Sequence, residues 1–180
     1  LYPNEKRIIY KGNFSYDTSL NSLDYDQLMD LRKENKRILF FSQPYSNLLE
    51  KELLVSLEMF CKYHNYILTV ITHPRDKKNK FSFLGQETEV VENSKFRVES
   101  DTYEGDAYFA ITRVSGVGSE LFLKGIPLIN AVLENETAKP SHQLEYIAFN
   151  KLHAYSFKDI NNLLMDTRGS FFKFVQSRNE

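Results

Sequence analysis

Four stretches of this chain are apolar at nearly every position: RILFFS at 37–42, YILTVI at 66–71, AYFAIT at 107–112 and IPLIN at 126–130. A strand with one wet face alternates apolar and polar residues. A strand without that alternation must be covered on both faces, and helices are the usual cover. Helical patterns do lie between these runs. Leu49, Leu53, Leu57, Phe60 and Cys61 recur at three-to-four spacing, and Glu50, Lys51, Glu58 and Lys62 are assigned to the opposite, wet face. Strand, helix and strand in this order form a right-handed crossover. The pattern therefore predicts an α/β fold: a three-layer, Rossmann-like parallel sheet with helices on both faces.

The rest of the chain repeats the rhythm. Residues 88–91 and 96–98 are short strand candidates. Residues 116–124 form a short helix that Gly125 stops at its C′ position and Pro127 keeps from continuing. Residues 141–150 are helical through Leu144, Ile147 and Ala148, and 152–155 form another strand. Ser156 and Asp159 cap a helix whose inner face is Ile160, Leu163 and Leu164, and Asn47 with Glu50 makes a capping box for the helix after the first strand. The apolar tail, Phe171, Phe172, Phe174 and Val175, needs a surface to pack on, in this chain or in a missing domain. The clusters RDKKNK at 75–80 and LENETAK at 133–139 read as solvated loops. With no internal repeat or Pro/Gly-rich linker, residues 1–36 are the leading strand and helix, and 37–180 the Rossmann-like body with a C-terminal helix.

Composition removes whole classes of function. Lys plus Arg is 23 and Asp plus Glu is 24, a net charge of -1, which argues against a nucleic-acid binder. No apolar run approaches the roughly 20 residues that span a bilayer. One cysteine, Cys61, rules out an internal disulfide framework, and its place on an inner helix face makes it a small core residue. Such a chain is expected in the cytoplasm, at most peripheral to the inner face of the membrane. His64, His142 and His153 have no metal-like spacing, so no metal site is expected. Asp24-Tyr25-Asp26 spells a D-x-D, but helix capping before Leu28 and Leu31 accounts for it. There is no P-loop, no G-x-G-x-x-G after the first strand and no G-x-S-x-G elbow.

Ligands of open parallel sheets bind beyond the carboxyl ends of the strands. Three loops qualify: 43–46, 72–76 and 113–120. In the second, Pro74 fixes the turn and biases His73 to an extended backbone, with Arg75 next. His73 and Arg75 either contact phosphate oxygens there, with His73 able to give a proton to a departing phosphate, or form a loop with the histidine held by the backbone. In the third loop, Gly116 and Gly118 allow close backbone approach at a helix start, Ser115 and Ser119 add hydroxyls, and Glu120 sits in the first turn. This is either an anion site or a glycine-softened turn with a stabilising acidic residue.

Taken together, these segments resemble a known family. Residues 115–129 (SGVGSELFLKGIPLI) resemble the donor-site segment of GT-B glycosyltransferases. His73-Pro74-Arg75 is similar to the His-Pro motif of bacterial sialyl-, polysialyl- and Kdo-transferases of that fold. Gly12-Asn13-Phe14-Ser15-Tyr16-Asp17, after the strand-like residues 7–10, resembles the opening of their C-terminal domain, shared with UDP-N-acetylglucosamine 2-epimerases. Gly116 stands where sialyltransferases carry a second serine, and Leu121 where the epimerases carry a second acidic residue.

The resemblance implies the donor-binding half of a glycosyltransferase that builds bacterial surface polysaccharide or lipo-oligosaccharide. It implies a CMP-, UDP- or CDP-linked sugar donor and an N-terminal acceptor domain outside this chain, with no cofactor or metal. His73 would meet the donor phosphate and aid its departure. Pro74, Arg75, Ser115, Gly116, Gly118 and Ser119 would surround the phosphate, with Glu120 near the ribose or base, and Gln43 and Ser46 would complete the phosphate side. Since 180 residues leave no room for the acceptor domain and the first is Leu1, the chain reads as one piece of a longer protein. Alone it is expected to bind nucleotide weakly and transfer nothing. An epimerase-like fragment and a non-catalytic interaction domain are the alternatives.

Overall fold

The computed structural model describes residues 24–44, 48–77, 79–113, 115–132 and 150–179. Residues 7–17, Ser46, Asn47, the 133–139 cluster and most of the expected 141–150 helix lie outside the described residues.

The four apolar runs become β1 (Arg37–Phe41), β2 (Ile67–Ile71), β4 (Ala107–Thr112) and β5 (Leu128–Ala131). With β3 (Glu89–Val91) and β6 (His153–Ala154) they form a six-stranded sheet in the order β3-β2-β1-β4-β5-β6. Every pairing is parallel. All six residues of β4 are buried, as a strand covered on both faces requires. Phe40 and Ile111 share one side of the sheet by register, and Phe41 and Thr112 the other.

The helices supply the cover: α1 (Tyr25–Arg32), α2 (Leu48–His64), α3 (Asn93–Val98), α4 (Ser100–Gly105), α5 (Val117–Leu123), α6 (Phe157–Met165) and α7 (Thr167–Asn179). The right-handed crossover rule sets α2 on one face of the sheet and α3 to α5 on the other. Phe96 of α3 meets the Phe41 ring edge-on at 5.3 Å. The result is the three-layer, Rossmann-like α/β arrangement that the apolar runs predict.

Local chemistry sets the helix ends. Asp24 caps α1, its carboxylate accepting from the Gln27 N–H at 3.0 Å, which assigns the D-x-D aspartate to capping. Ser156 Oγ accepts from the Asp159 N–H, as expected. Gly125, at φ 74°, takes the left-handed conformation after α5, and its N–H and that of Ile126 close onto the carbonyls of Phe122 and Leu121. Asn65, at φ 59°, ends α2 in the same manner, with the Tyr66 N–H on the Cys61 carbonyl.

The tail packs within the chain. Phe171 lies against Tyr108 and Phe109, Phe174 meets Phe122 edge-on, and Ser177 Oγ accepts from the Lys151 N–H. Tyr108 stands near the amino end of β4 and Lys151 precedes β6, so α7 packs towards that edge of the sheet. Phe171 and Phe174 are fully buried, and each contributes about 2 kcal/mol on that account.

Three expectations are corrected. Residues 96–98 belong to helix α3: Phe96 is buried between Asn93 and Arg97, a helical spacing that a three-residue apolar run cannot distinguish from a strand. Glu50 is not on the wet face of α2 but 1% exposed, in phase with Leu53, Leu54 and Leu57. The 75–80 loop is not simply solvated, because the side chains of Asp76 and Lys80 are 3% and 12% exposed.

Candidate functional site

β1 has β2 on one side and β4 on the other, so the loops that follow these three strands emerge side by side. The chain moves outward from β1 to β2 and β3, then returns across β1 to β4. That reversal splits the loops at the carboxyl edge and opens a crevice there. A cleft of about 620 Å³ occupies this position.

The cleft draws together residues from both sides. His73 and Pro74 line it after β2; Ser115, Gly116, Val117 and Glu120 line it after β4. Asn93 and Arg97 of α3 form a further wall, with Glu104 of α4 and Lys124 close by. The crevice thus brings the predicted histidine and the predicted glycine turn into one space, and no side chain among the described residues fills it.

His73 is held by its own loop. Its Nδ1 accepts the Arg75 backbone N–H at 3.1 Å, and its backbone N–H donates to Asp76 Oδ2 at 2.7 Å. An accepting Nδ1 is the unprotonated nitrogen, so the ring proton sits on Nε2, which is left to donate to a ligand. The backbone-held and ligand-facing readings of this histidine are therefore compatible.

At the glycine turn, the Gly118 and Ser119 N–H groups already donate to the carbonyls of Ser115 and Gly116 at 3.1 and 3.2 Å. Among the described residues, the N–H groups of Gly116 and Val117 at the mouth of the turn have no carbonyl partner outside the helix. A Cβ on Gly116 would meet nothing within 4 Å, so no packing demands a glycine there. What the missing side chain does leave is room for a ligand to approach the backbone.

The remaining predicted residues do not line the cleft. Gln43 gives its N–H to Glu50 Oε2 at 3.3 Å, and its carbonyl accepts from Lys80 Nζ. Arg75 contributes its main chain to His73. Gly118 is buried and Ser119 half-buried. Ser46 falls outside the described residues.

Beneath the three loops lies a buried charge network. Glu50 contacts Lys80 Nζ at 2.6 Å and an Arg113 guanidinium nitrogen at 3.1 Å. Lys80 also meets Asp76 at 3.0 Å and donates to Ser42 Oγ at 2.9 Å, and Ser42 Oγ donates to Asp76 Oδ2 at 2.7 Å. Among the described residues, Glu50 and Asp76 meet Lys80 and Arg113, so each of these charges has an opposite partner, the condition for tolerating burial. It joins the end of β1, the β2 loop, the start of α2 and the end of β4. The Asp76 carboxylate that anchors the network also fixes the His73 main chain.

Sequence reasoning missed this network, as well as Asn93 and Arg97. A signal was present for Glu50 and for the α3 pair. Glu50 is three residues before Leu53 and seven before Leu57, on their helical face, and Asn93 and Arg97 stand four apart around Phe96.

No family model matches the chain, and no curated protein matches it. Among the described residues no group of three or more His, Cys, Asp or Glu side chains is arranged to hold a metal ion. No helix among them is long and apolar enough to cross a membrane.

Proposed function

We propose that this chain is the donor-binding domain of a GT-B type glycosyltransferase, taking a nucleotide-linked sugar at the carboxyl edge of its sheet. One observation carries the reading: an imidazole and a turn with hydrogen-bond donors unused among the described residues line one crevice where the strand order reverses. Hydrogen-bond donors converging on one space suit the oxygens of a phosphate ester.

Transfer would proceed by displacement at the anomeric carbon of the donor sugar. The acceptor hydroxyl, deprotonated by a base on another domain, forms the new C–O bond as the bond to the nucleotide phosphate breaks. The phosphate leaves with the electron pair, and the Nε2–H of His73 and the N–H groups of Gly116 and Val117 stabilise its growing charge. With Nδ1 occupied by the Arg75 N–H, His73 acts here as a hydrogen-bond donor rather than by giving up its only proton. Glu120, exposed beside the turn, is placed to accept from ribose hydroxyls.

Calorimetric titration with CMP, UDP and CDP tests this. The reading expects saturable binding of at least one nucleotide, weakened about tenfold or more by His73→Ala and by Ser115→Ala. Absence of binding by all three at millimolar concentration, or affinity unchanged in both variants, would reject it.

A further inference from the structure

We infer that Arg97, braced by Asn93, is the phosphate-gripping cation of this cleft, a role that no motif in the sequence assigns. The inference rests on the donor-site reading only for the identity of the phosphate's carrier.

The cleft's charges lead to this residue. A phosphate ester carries one or two negative charges, and hydrogen bonds from His73 and the Gly116 turn supply no full positive charge to meet them. Glu120, exposed on the same lining, works against an anion. Lys124 is a poor counterweight, because its Nζ is 2.7 Å from Glu104 Oε2 and its charge is already answered. Arg97 differs. Among the described residues it has no carboxylate partner, and its single side-chain bond runs from Nε to Asn93 Oδ1 at 3.0 Å.

That bond fixes how the guanidinium can act. With Nε spent on Asn93, the two terminal nitrogens remain as a planar, paired fork, the geometry that grips two phosphate oxygens at once. Asn93 and Arg97 lie four residues apart on one face of α3, and Phe96 between them is buried against Phe41 and Tyr103. The fork is therefore carried by an element anchored in the core. Holding the side chain before the ligand arrives reduces the ordering cost at binding.

The probes are inorganic pyrophosphate, CMP and cytidine, titrated onto the full chain as wild type, Arg97→Gln, Arg97→Lys and Asn93→Ala. Urea unfolding of each variant verifies the fold, which an exposed side chain should leave intact. The expected result is pyrophosphate binding to wild type, weakened ten- to a hundredfold in Arg97→Gln. Arg97→Lys should recover only part of the loss, because a point charge lacks the fork. Asn93→Ala should lose less than Arg97→Gln. Cytidine, which has no phosphate, should respond equally to wild type and Arg97→Gln.

Failure to bind pyrophosphate, or equal affinity in wild type and Arg97→Gln, overturns the inference. Arg97-dependent pyrophosphate binding with no nucleotide binding would uphold it and remove the donor-site reading. CMP binding lost on His73→Ala but indifferent to Arg97→Gln would do the reverse.

Discussion

Substituting Glu50→Gln keeps the shape of the side chain and removes its charge from the network under the loops. In the native protein this carboxylate, 2% exposed, lies 2.6 Å from Lys80 and 3.1 Å from Arg113, which are 12% and 8% exposed. Neutralising it takes the charge out of the buried contacts to Lys80 and Arg113, while Lys80 keeps its contact with Asp76. Breaking a buried pair in this way costs about 3–5 kcal/mol, because a buried cation gives up a close carboxylate and has no water to replace it. For a domain of this size that corresponds to a fall in Tm of about 6–20 °C. With a urea m-value of about 2 kcal/mol/M it lowers the unfolding midpoint by about 1.5–2.5 M. Urea unfolding followed by far-UV circular dichroism measures it. A double-mutant cycle makes the argument specific: Lys80→Met should cost less in the Glu50→Gln background than alone, since its contact with the Glu50 charge is already gone. Glu50→Gln within about 1 kcal/mol of wild type would refute the reasoning and show that the network is solvated in solution.

Three further outcomes follow from local chemistry. Asn65 is exposed and left-handed after α2, so Asn65→Gly should stabilise by about 0.5–1 kcal/mol and Asn65→Ala should destabilise, both read from urea midpoints. Burial, reinforced by the charge of Glu58, pushes the Cys61 thiol up to about 12, so a disulfide reagent at pH 8 should leave it unmodified until the protein is unfolded. Because that value is raised in the fold, the stability linked to it is full below the ordinary thiol value of about 9 and declines as pH rises towards 12, which alkaline unfolding curves should show. Hydrogen bonding with Ser156 and the Tyr155 N–H holds the exposed Asp159 carboxyl below its ordinary value. Its contribution to the start of α6 is therefore present above the ordinary carboxylate range and lost as pH falls through the lowered value, measurable by carboxyl-carbon NMR titration.

The sheet was legible because burial on both faces leaves a mark that needs no tertiary knowledge: six consecutive buried residues at 107–112 admit few other structures. Helix ends were legible for the same local reason, as Ser156, Asp24 and Gly125 act on bonds within four residues of themselves. Residues 96–98 were not, because three residues are fewer than one helical turn. The charge network was hidden for a different reason. Asp76 and Lys80 look like surface residues in a run of charges, and only the fold brings them to Glu50 and Arg113, distant in sequence. His73 and Ser115–Glu120 could be proposed from the loops they occupy. Which residues face the cleft depends on side-chain direction, and Gln43, Arg75, Gly118 and Ser119 are not among those that line it. Arg97 is the converse case, a cleft residue that a mistaken strand assignment concealed.

The central claim is that a phosphate ester is held between the β2 loop and the turn before α5. Amide chemical-shift mapping of the isotope-labelled chain during titration with CMP, UDP or CDP tests it most directly. The account predicts that the largest shifts gather at His73, Arg97 and residues 115–117. Shifts gathered instead on the outer face of α2, around Val55, Met59 and Tyr63, or none at saturating nucleotide, would contradict it.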